Sequence, residues 1–164
     1  MRPLNALLLM CASFAGTAAH ADPAADCKAG AGTYLAGVIT STPRFVPGRQ
    51  RPHGVELSHT RMRVLADQDH RSYDVAIDNV FAQGAIANAQ TIPASLTVLR
   101  PQMRVELCGA LYKSGGPGVD WVHTNCGAAP TADHPNGFVR VIGADGRESD
   151  NLESNPNFCR LFKN

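Results

Sequence analysis

Two histidines and the aspartate that pairs with one of them carry the clearest chemistry in this sequence. His59 belongs to an alternating run, Val55 to Ala66, and Asp78 to a second, Ser72 to Phe81. Asp67-Gln68-Asp69-His70 lies between them and has the composition of a turn. If Ala66 faces Arg71 around that turn, Val64 faces Tyr73, Met62 faces Val75 and Thr60 faces Ile77. One side of the hairpin is then largely apolar, as a half-buried sheet requires. The other side pairs Arg63 with Asp74 and His59 with Asp78, so opposite charges meet across the strands. A carboxylate beside an imidazole orients the ring and raises its pKa, which suits a general base or a metal ligand. The same pair also reads as an exposed cross-strand ion pair of little energy.

His123 is the second histidine of interest, in Val119-Asp120-Trp121-Val122-His123-Thr124-Asn125-Cys126. Alternation places it on one face with Trp121 and Asn125, together with Leu107 and Leu111. That environment also suits a core imidazole satisfied by one hydrogen bond. Trp121 is the only tryptophan; its indole suits stacking on a base or a sugar, or anchoring a small core. Arg61, Asn79, Trp121 and Asn125 are the candidate ligand contacts. His59, Asp78 and His123 are the candidate catalytic or metal-binding set, and a divalent cation is the cofactor they would take. His134-Pro135-Asn136-Gly137 reads as an exposed turn, and His53 and His70 as incidental loop residues. There is no G-x-S-x-G, phosphate loop, H-E-x-x-H or EF-hand spacing.

The elements that must position these residues are mostly strands. Tyr34 to Ile39 reads as a first strand. Thr40 to Gly54, with three prolines and two glycines, reads as a long exposed connection. Ala-rich Gly84 to Gln90 suggests a short helix ended by Ile92-Pro93. Met103 to Tyr112 and Val119 to Cys126 form a second hairpin about Ser114–Gly118, and Phe138 to Ile142 a last strand turned by Asp145-Gly146. In the symmetric register of the second hairpin Cys108 faces Cys126, Tyr112 faces Val122 and Leu111 faces His123. The expected fold class is therefore all-β with one short helix, a small five- to six-stranded OB-like barrel.

Residues 1–21 read as an export leader. Arg2 supplies the positive start, Leu7 to Ala12 the apolar middle, and Ala19-His20-Ala21 a small-x-small cleavage site. The apolar run is too short to anchor the chain in a membrane. Residues 22–164 then form a single domain. Arg2 is the leader's only charge, so the net charge of +1 falls to zero on cleavage. No global field draws in nucleic acid or anionic lipid. Arginines nevertheless gather between Arg44 and Arg63, and acids between Asp145 and Glu153. Four cysteines remain after cleavage. An even count in an exported chain implies two disulfides, and the second hairpin's register favours Cys108–Cys126, leaving Cys27–Cys159 to tie the ends. Residues 22–32 are small and polar, and are expected to be loose until Cys27 fastens them.

His59-Thr60-Arg61-Met62, Ile77-Asp78-Asn79, Asp120-Trp121-Val122-His123 and His134-Pro135-Asn136-Gly137-Phe138 resemble a small exported bacterial family of unknown function. Its pattern is a histidine three residues before an aromatic, then Ala-His-Asn, His-Trp-Thr-His and His-Pro-x-Gly-aromatic. The resemblance spans Gly37 to Gly146. Here Met62 replaces the aromatic, Ile77 the alanine, and Asp78 and Asp120 replace histidines. If those histidines are metal ligands in the family, the carboxylates here favour a harder ion.

Three functions fit the sequence. The first is a periplasmic or secreted binding module for an oligosaccharide, a single-stranded nucleic acid or an envelope protein. The second is a metal-assisted phosphodiesterase using His59, Asp78, Asn79 and His123. The third is a structural or inhibitory envelope protein. In each case the expected product has no membrane anchor and is a monomer or small homo-oligomer.

Overall fold

Residues 22–162 are described by a computed structural model of the chain; residues 1–21, read from the sequence as an export leader, lie outside the described residues. Seven strands form one sheet: β1 (Thr33–Ile39), β2 (Arg44–Val46), β3 (His59–Ala66), β4 (Ser72–Asp78), β5 (Arg104–Leu111), β6 (Gly118–Asp120) and β7 (Phe138–Ile142). β1 pairs with both β3 and β5, β3 with β4, β4 with β6 and β6 with β5. That circuit closes five strands into a barrel, which removes free edges. Two strands lie outside the circuit, β2 on β3 and β7 on β5. All pairs are antiparallel except β4–β6.

The β3–β4 register is the one that hydrophobic alternation predicts. His59 faces Asp78, Thr60 Ile77, Met62 Val75, Arg63 Asp74 and Val64 Tyr73. Thr60, Met62, Val64, Val75 and Ile77 point into the barrel and join Ile39, Val105, Leu107 and Val119 in its core. The outward side carries His59, Arg61 and Arg63, which is how the barrel wall comes to present polar chemistry.

Several local expectations are corrected. Residues 22–32, fastened through Cys27 to Cys108, carry a helix that their composition does not signal: α1, Pro23–Ala29, whose N-cap Asp22 accepts from the Ala24 N–H at 3.0 Å. The Thr40–Gly54 connection contains β2. Gly84–Gln90 forms turns rather than a helix, because Gly84 (φ +78°) and Asn88 (φ +60°) take left-handed backbone incompatible with one. Helical geometry appears later instead, as a 3₁₀ segment over Ala94–Val98 that starts after Pro93.

The second hairpin is shorter than alternation suggests, and its register differs. Leu111 faces Val119 and Ala110 faces Asp120. Strand geometry stops at Asp120 because Trp121 adopts φ +53°. Cys126 therefore never comes opposite Cys108, and Leu111 does not meet His123. Cys108 instead faces Tyr34 on β1 and Phe138 on β7, and α1 packs over this point. The disulfides are accordingly Cys27–Cys108 and Cys126–Cys159, not Cys108–Cys126 and Cys27–Cys159. The first fastens α1 to the barrel. The second fastens the C-terminal 3₁₀ segment Pro156–Phe162 beside the loop that follows β6.

Candidate functional site

Three of the sequence-derived candidates converge. Asp78 ends β4, where the chain turns into a 3₁₀ segment, Asn79–Phe81. Its carboxylate lies between two imidazoles. His59 Nε2 donates to Asp78 Oδ1 at 2.9 Å, and His123 Nε2 stands 3.7 Å from Oδ2. His59 is open to the cleft, with a side chain 32 % exposed. The bond to Asp78 holds its pKa above the usual histidine value, against the opposing effect of burial.

His123 is held differently. Only 1 % exposed, its ring stacks on Phe81 with centroids 3.7 Å apart and planes inclined by 12°. Its Nδ1 donates to the Thr124 carbonyl at 3.0 Å, so Nε2 carries a bare lone pair. No protein group hydrogen-bonds that Nε2. Burial pushes the His123 pKa below the usual value, outweighing the nearby Asp78 charge. The two rings thus sit on one carboxylate with opposite proton preferences.

Local backbone geometry explains why His123 arrives here. The left-handed conformation at Trp121 ends β6 and turns the next residues inward; for a bulky residue such a φ is strained and points to function. Gly137 N donates to the His123 carbonyl at 2.8 Å. A Cβ on Gly137 would lie 2.5 Å from the Cys108 carbonyl oxygen and 2.6 Å from that of Trp121, so only glycine admits this approach. The Trp121 indole lies against His123 and His134, with ring centroids 4.7 and 4.5 Å away and planes tilted by 43° and 41°. Phe162 lies 6.3 Å from it, edge-on. The His134–Gly137 turn is thus the bracket that holds Trp121 and His123 in place.

These residues line a cleft of about 560 Å³ whose rim includes Arg49, Gln50, Arg61 and Asp120. Beyond the Asp120–Trp121 ridge lies a second depression of about 490 Å³, containing Tyr112, Lys113 and His134. Arg61 leads from the cleft into a third, of about 450 Å³, containing Arg44, Arg63 and Ser114. The three share residues and form one continuous grooved face. Charges of both signs line it.

The other candidates fall as follows. Arg61 lines the cleft and forms an ion pair with Asp74, while its Nη2 donates to the Tyr112 hydroxyl at 3.3 Å. Asp74 faces Arg63 in the register, but its ion pair goes to Arg61. Asn79 is not brought to the cleft. It is buried, accepting from Thr60 Oγ1 at 2.6 Å and donating to Ser58 Oγ at 3.0 Å, and so ties β3 to the end of β4. Nor is Asn125, which donates to the His134 carbonyl and accepts from Ala128 N–H, bracing the 125–136 loop. Among the described residues no group of three His, Cys, Asp or Glu side chains is arranged to hold a metal ion. His59 and His123 meet different oxygens of Asp78. No family model matches the chain, and no curated protein matches it.

Four residues at or near the site go beyond the candidate set. Asp120 lies on the cleft rim, and burial together with the Asp78 charge raises its pKa. Its place beside the sole tryptophan, and its standing where the resembling pattern has a histidine, were the available signals. Phe81 and Phe162 bring aromatic surface from the end of the β4 hairpin and from the C-terminal segment. Glu153 is fully buried with neither carboxylate oxygen hydrogen-bonded. Burial, with a smaller contribution from Asp78, raises its pKa well above the usual carboxylate value.

Proposed function

We propose that the mature chain is an exported oligosaccharide-binding module, working in the periplasm or outside the cell. The observation that carries this reading is the continuous groove with Trp121 at its centre. A polymer of rings can stack on the indole and run into a depression on either side. The mixed signs along the groove select among ligands. Asp78, Asp120 and Asp133 share its lining with Arg49, Arg61 and Lys113, which disfavours a polyanion such as single-stranded nucleic acid, whose affinity rests on a positive track. Paired acids and bases suit a ligand rich in hydroxyls, which both donates and accepts.

Barrel topology supports the same reading. We assign the barrel to the OB type, whose ligands bind on the face of its second and third strands and on the loops after its first and fourth. The corresponding parts here are β3 and β4, with His59, Arg61 and Asp78; the loop after β1, with Arg49; and the loop after β5, with Lys113. The two disulfides suit an oxidising compartment. Among the described residues no helix is long and apolar enough to cross a membrane.

Trp121 is the only indole in the chain, so its fluorescence reports occupancy directly. Titration with envelope-type oligosaccharides is expected to shift or quench the emission. Trp121→Ala should weaken binding measured by calorimetry about tenfold or more, as the loss of a stacking platform does. Emission unmoved by every oligosaccharide tried, with a shift on single-stranded DNA instead, would replace this reading with a nucleic-acid one.

A further inference from the structure

The outward face of β2 and β3 carries more positive charge than the protein neutralises. Arg44 faces Arg61 directly across the β2–β3 pair, and Arg63 lies two residues further along β3 on the same face. Like charges directly opposite one another destabilise a sheet. One acid is at hand. Asp74 faces Arg63 in the β3–β4 register, yet its Oδ2 accepts from Arg61 Nη2 and, at 3.2 Å, from the Tyr112 hydroxyl. Tyr112 is fixed in that role. A Cβ on Gly118 would lie 2.4 Å from two of its ring atoms, so the ring takes the space a side chain there would need. Its N–H donates to the Gly118 carbonyl at 2.9 Å. Arg44 and Arg63 are left exposed, and neither has an ion pair among the described residues. A charge on β2 alone would guard that strand's free edge; Arg63 stands on an inner strand and needs another reason.

These two arginines line the depression of about 450 Å³, together with Ser72, Ser114 and Gly115. Gly115 and Gly116, in the loop between β5 and β6, have only open space where a side chain would be, so that side stays open. Arg61 and Tyr112 line this depression too, and each also lines one of the two that flank Trp121. The depression therefore opens off the side of the groove. Its chemistry is that of two unspent guanidinium groups, whose planar forks match the paired oxygens of a carboxylate or a sulfate. A hydroxyl can accept from them but leaves both charges standing. The rest of the groove limits how many anions a ligand can carry. Asp120 lines both depressions beside Trp121 and has no ion pair among the described residues. A chain charged on every ring would set negative charge against it.

We propose that Arg44 and Arg63 form a subsite for one oxyanion, a carboxylate or a sulfate ester, on a side branch of the bound oligosaccharide, so that the groove selects an otherwise neutral chain with a single acidic branch. This rests on the oligosaccharide reading above and adds the substituent to it. The main chain stacks on Trp121, and the branch turns past Arg61 and Tyr112 toward the two arginines.

The test compares three tetrasaccharides by calorimetry on the full mature chain: xylotriose bearing one glucuronic acid branch, the same molecule with that carboxyl group reduced to the alcohol, and the sulfate ester of that alcohol. At least one acidic form is expected to bind about tenfold tighter than the neutral one, as charge-assisted hydrogen bonds imply. The tighter of the two names the oxyanion. Arg44→Gln combined with Arg63→Gln should bring all three affinities within about twofold of one another. Having lost a like-charge contact, that double variant should melt no lower than the wild type; a melt several degrees lower would make the pair structural and overturn the subsite. Equal affinities in the wild type, or a preference that survives in the double variant, overturn the subsite and leave the oligosaccharide reading standing. Should none of the three bind, the oligosaccharide reading falls and inorganic sulfate decides the subsite. At constant ionic strength, exchanging chloride for sulfate must then shift the Arg44 and Arg63 Nε–H signals saturably in nitrogen-15 NMR, and unmoved signals overturn the subsite as well.

Discussion

A carboxylate shared by two histidines fixes what pH does to this site. His59 has its folded-state pKa raised by Asp78. Its ion pair is therefore fully formed below the ordinary histidine pKa of about 6.5, and its stabilisation is lost as pH rises through the folded value. His123 is the reverse: burial lowers its pKa. The neutral ring is favoured above the ordinary value, and that advantage is lost as pH falls through the lowered one. NMR titration of the ring protons should thus give two midpoints, one on each side of free imidazole. Asp78→Asn should bring the upper one down. Overlapping midpoints at the free-histidine position would remove the argument for an ordered dyad. Asn79 and Asn125 show how residue type alone misleads at this scale. Each is a polar side chain next to a candidate, yet each spends its amide on the backbone or on neighbouring hydroxyls.

Among the elements, the His134–Gly137 turn and the short β6 matter most. The turn closes onto the Trp121–His123 segment so tightly that Gly137 has no room for a methyl group. The obstructing atoms are backbone carbonyls, which cannot rotate away. Gly137→Ala should cost about 1–3 kcal/mol in urea unfolding, the usual range for overpacking, and should also displace Trp121 enough to change its fluorescence. An unchanged unfolding midpoint would show that the turn yields freely. The β3–β4 hairpin was readable in advance because strict alternation allows one register only; a slip by one residue would turn Met62 and Val64 to solvent. β6 was not. Its alternation continues on paper to Cys126, but the left-handed backbone at Trp121 cuts it at Asp120, and no local propensity marks a tryptophan for that conformation.

For the molecule as a whole, two covalent ties restrain a small barrel. The bridges close spans of 81 and 33 residues. Chain-entropy arguments give about 4 kcal/mol for each. Reduction should therefore lower the melting temperature by more than ~10 °C in a domain of this size. Peptide mapping under non-reducing conditions should recover Cys27 with Cys108 and Cys126 with Cys159. Mapped Cys108–Cys126 peptides would overturn the second hairpin's geometry, and an unchanged melt in strong reductant would show that the barrel needs neither bridge. The second bridge also has a local consequence. It holds Pro156–Phe162 against the site, so Phe162 should lose its place in the cleft when Cys126–Cys159 is broken.

Local patterning settled the strand-rich character of the chain, the pairing of His59 with Asp78 and the presence of four bridgeable thiols, because each depends on period-two alternation or on counting. The partners of those thiols, the approach of His123 to the far oxygen of Asp78 and the arrival of Phe162 were settled only by three-dimensional packing. Each joins segments far apart along the chain, and their meeting depends on barrel closure and on one strained backbone turn, neither of which leaves a periodic trace in the residues involved.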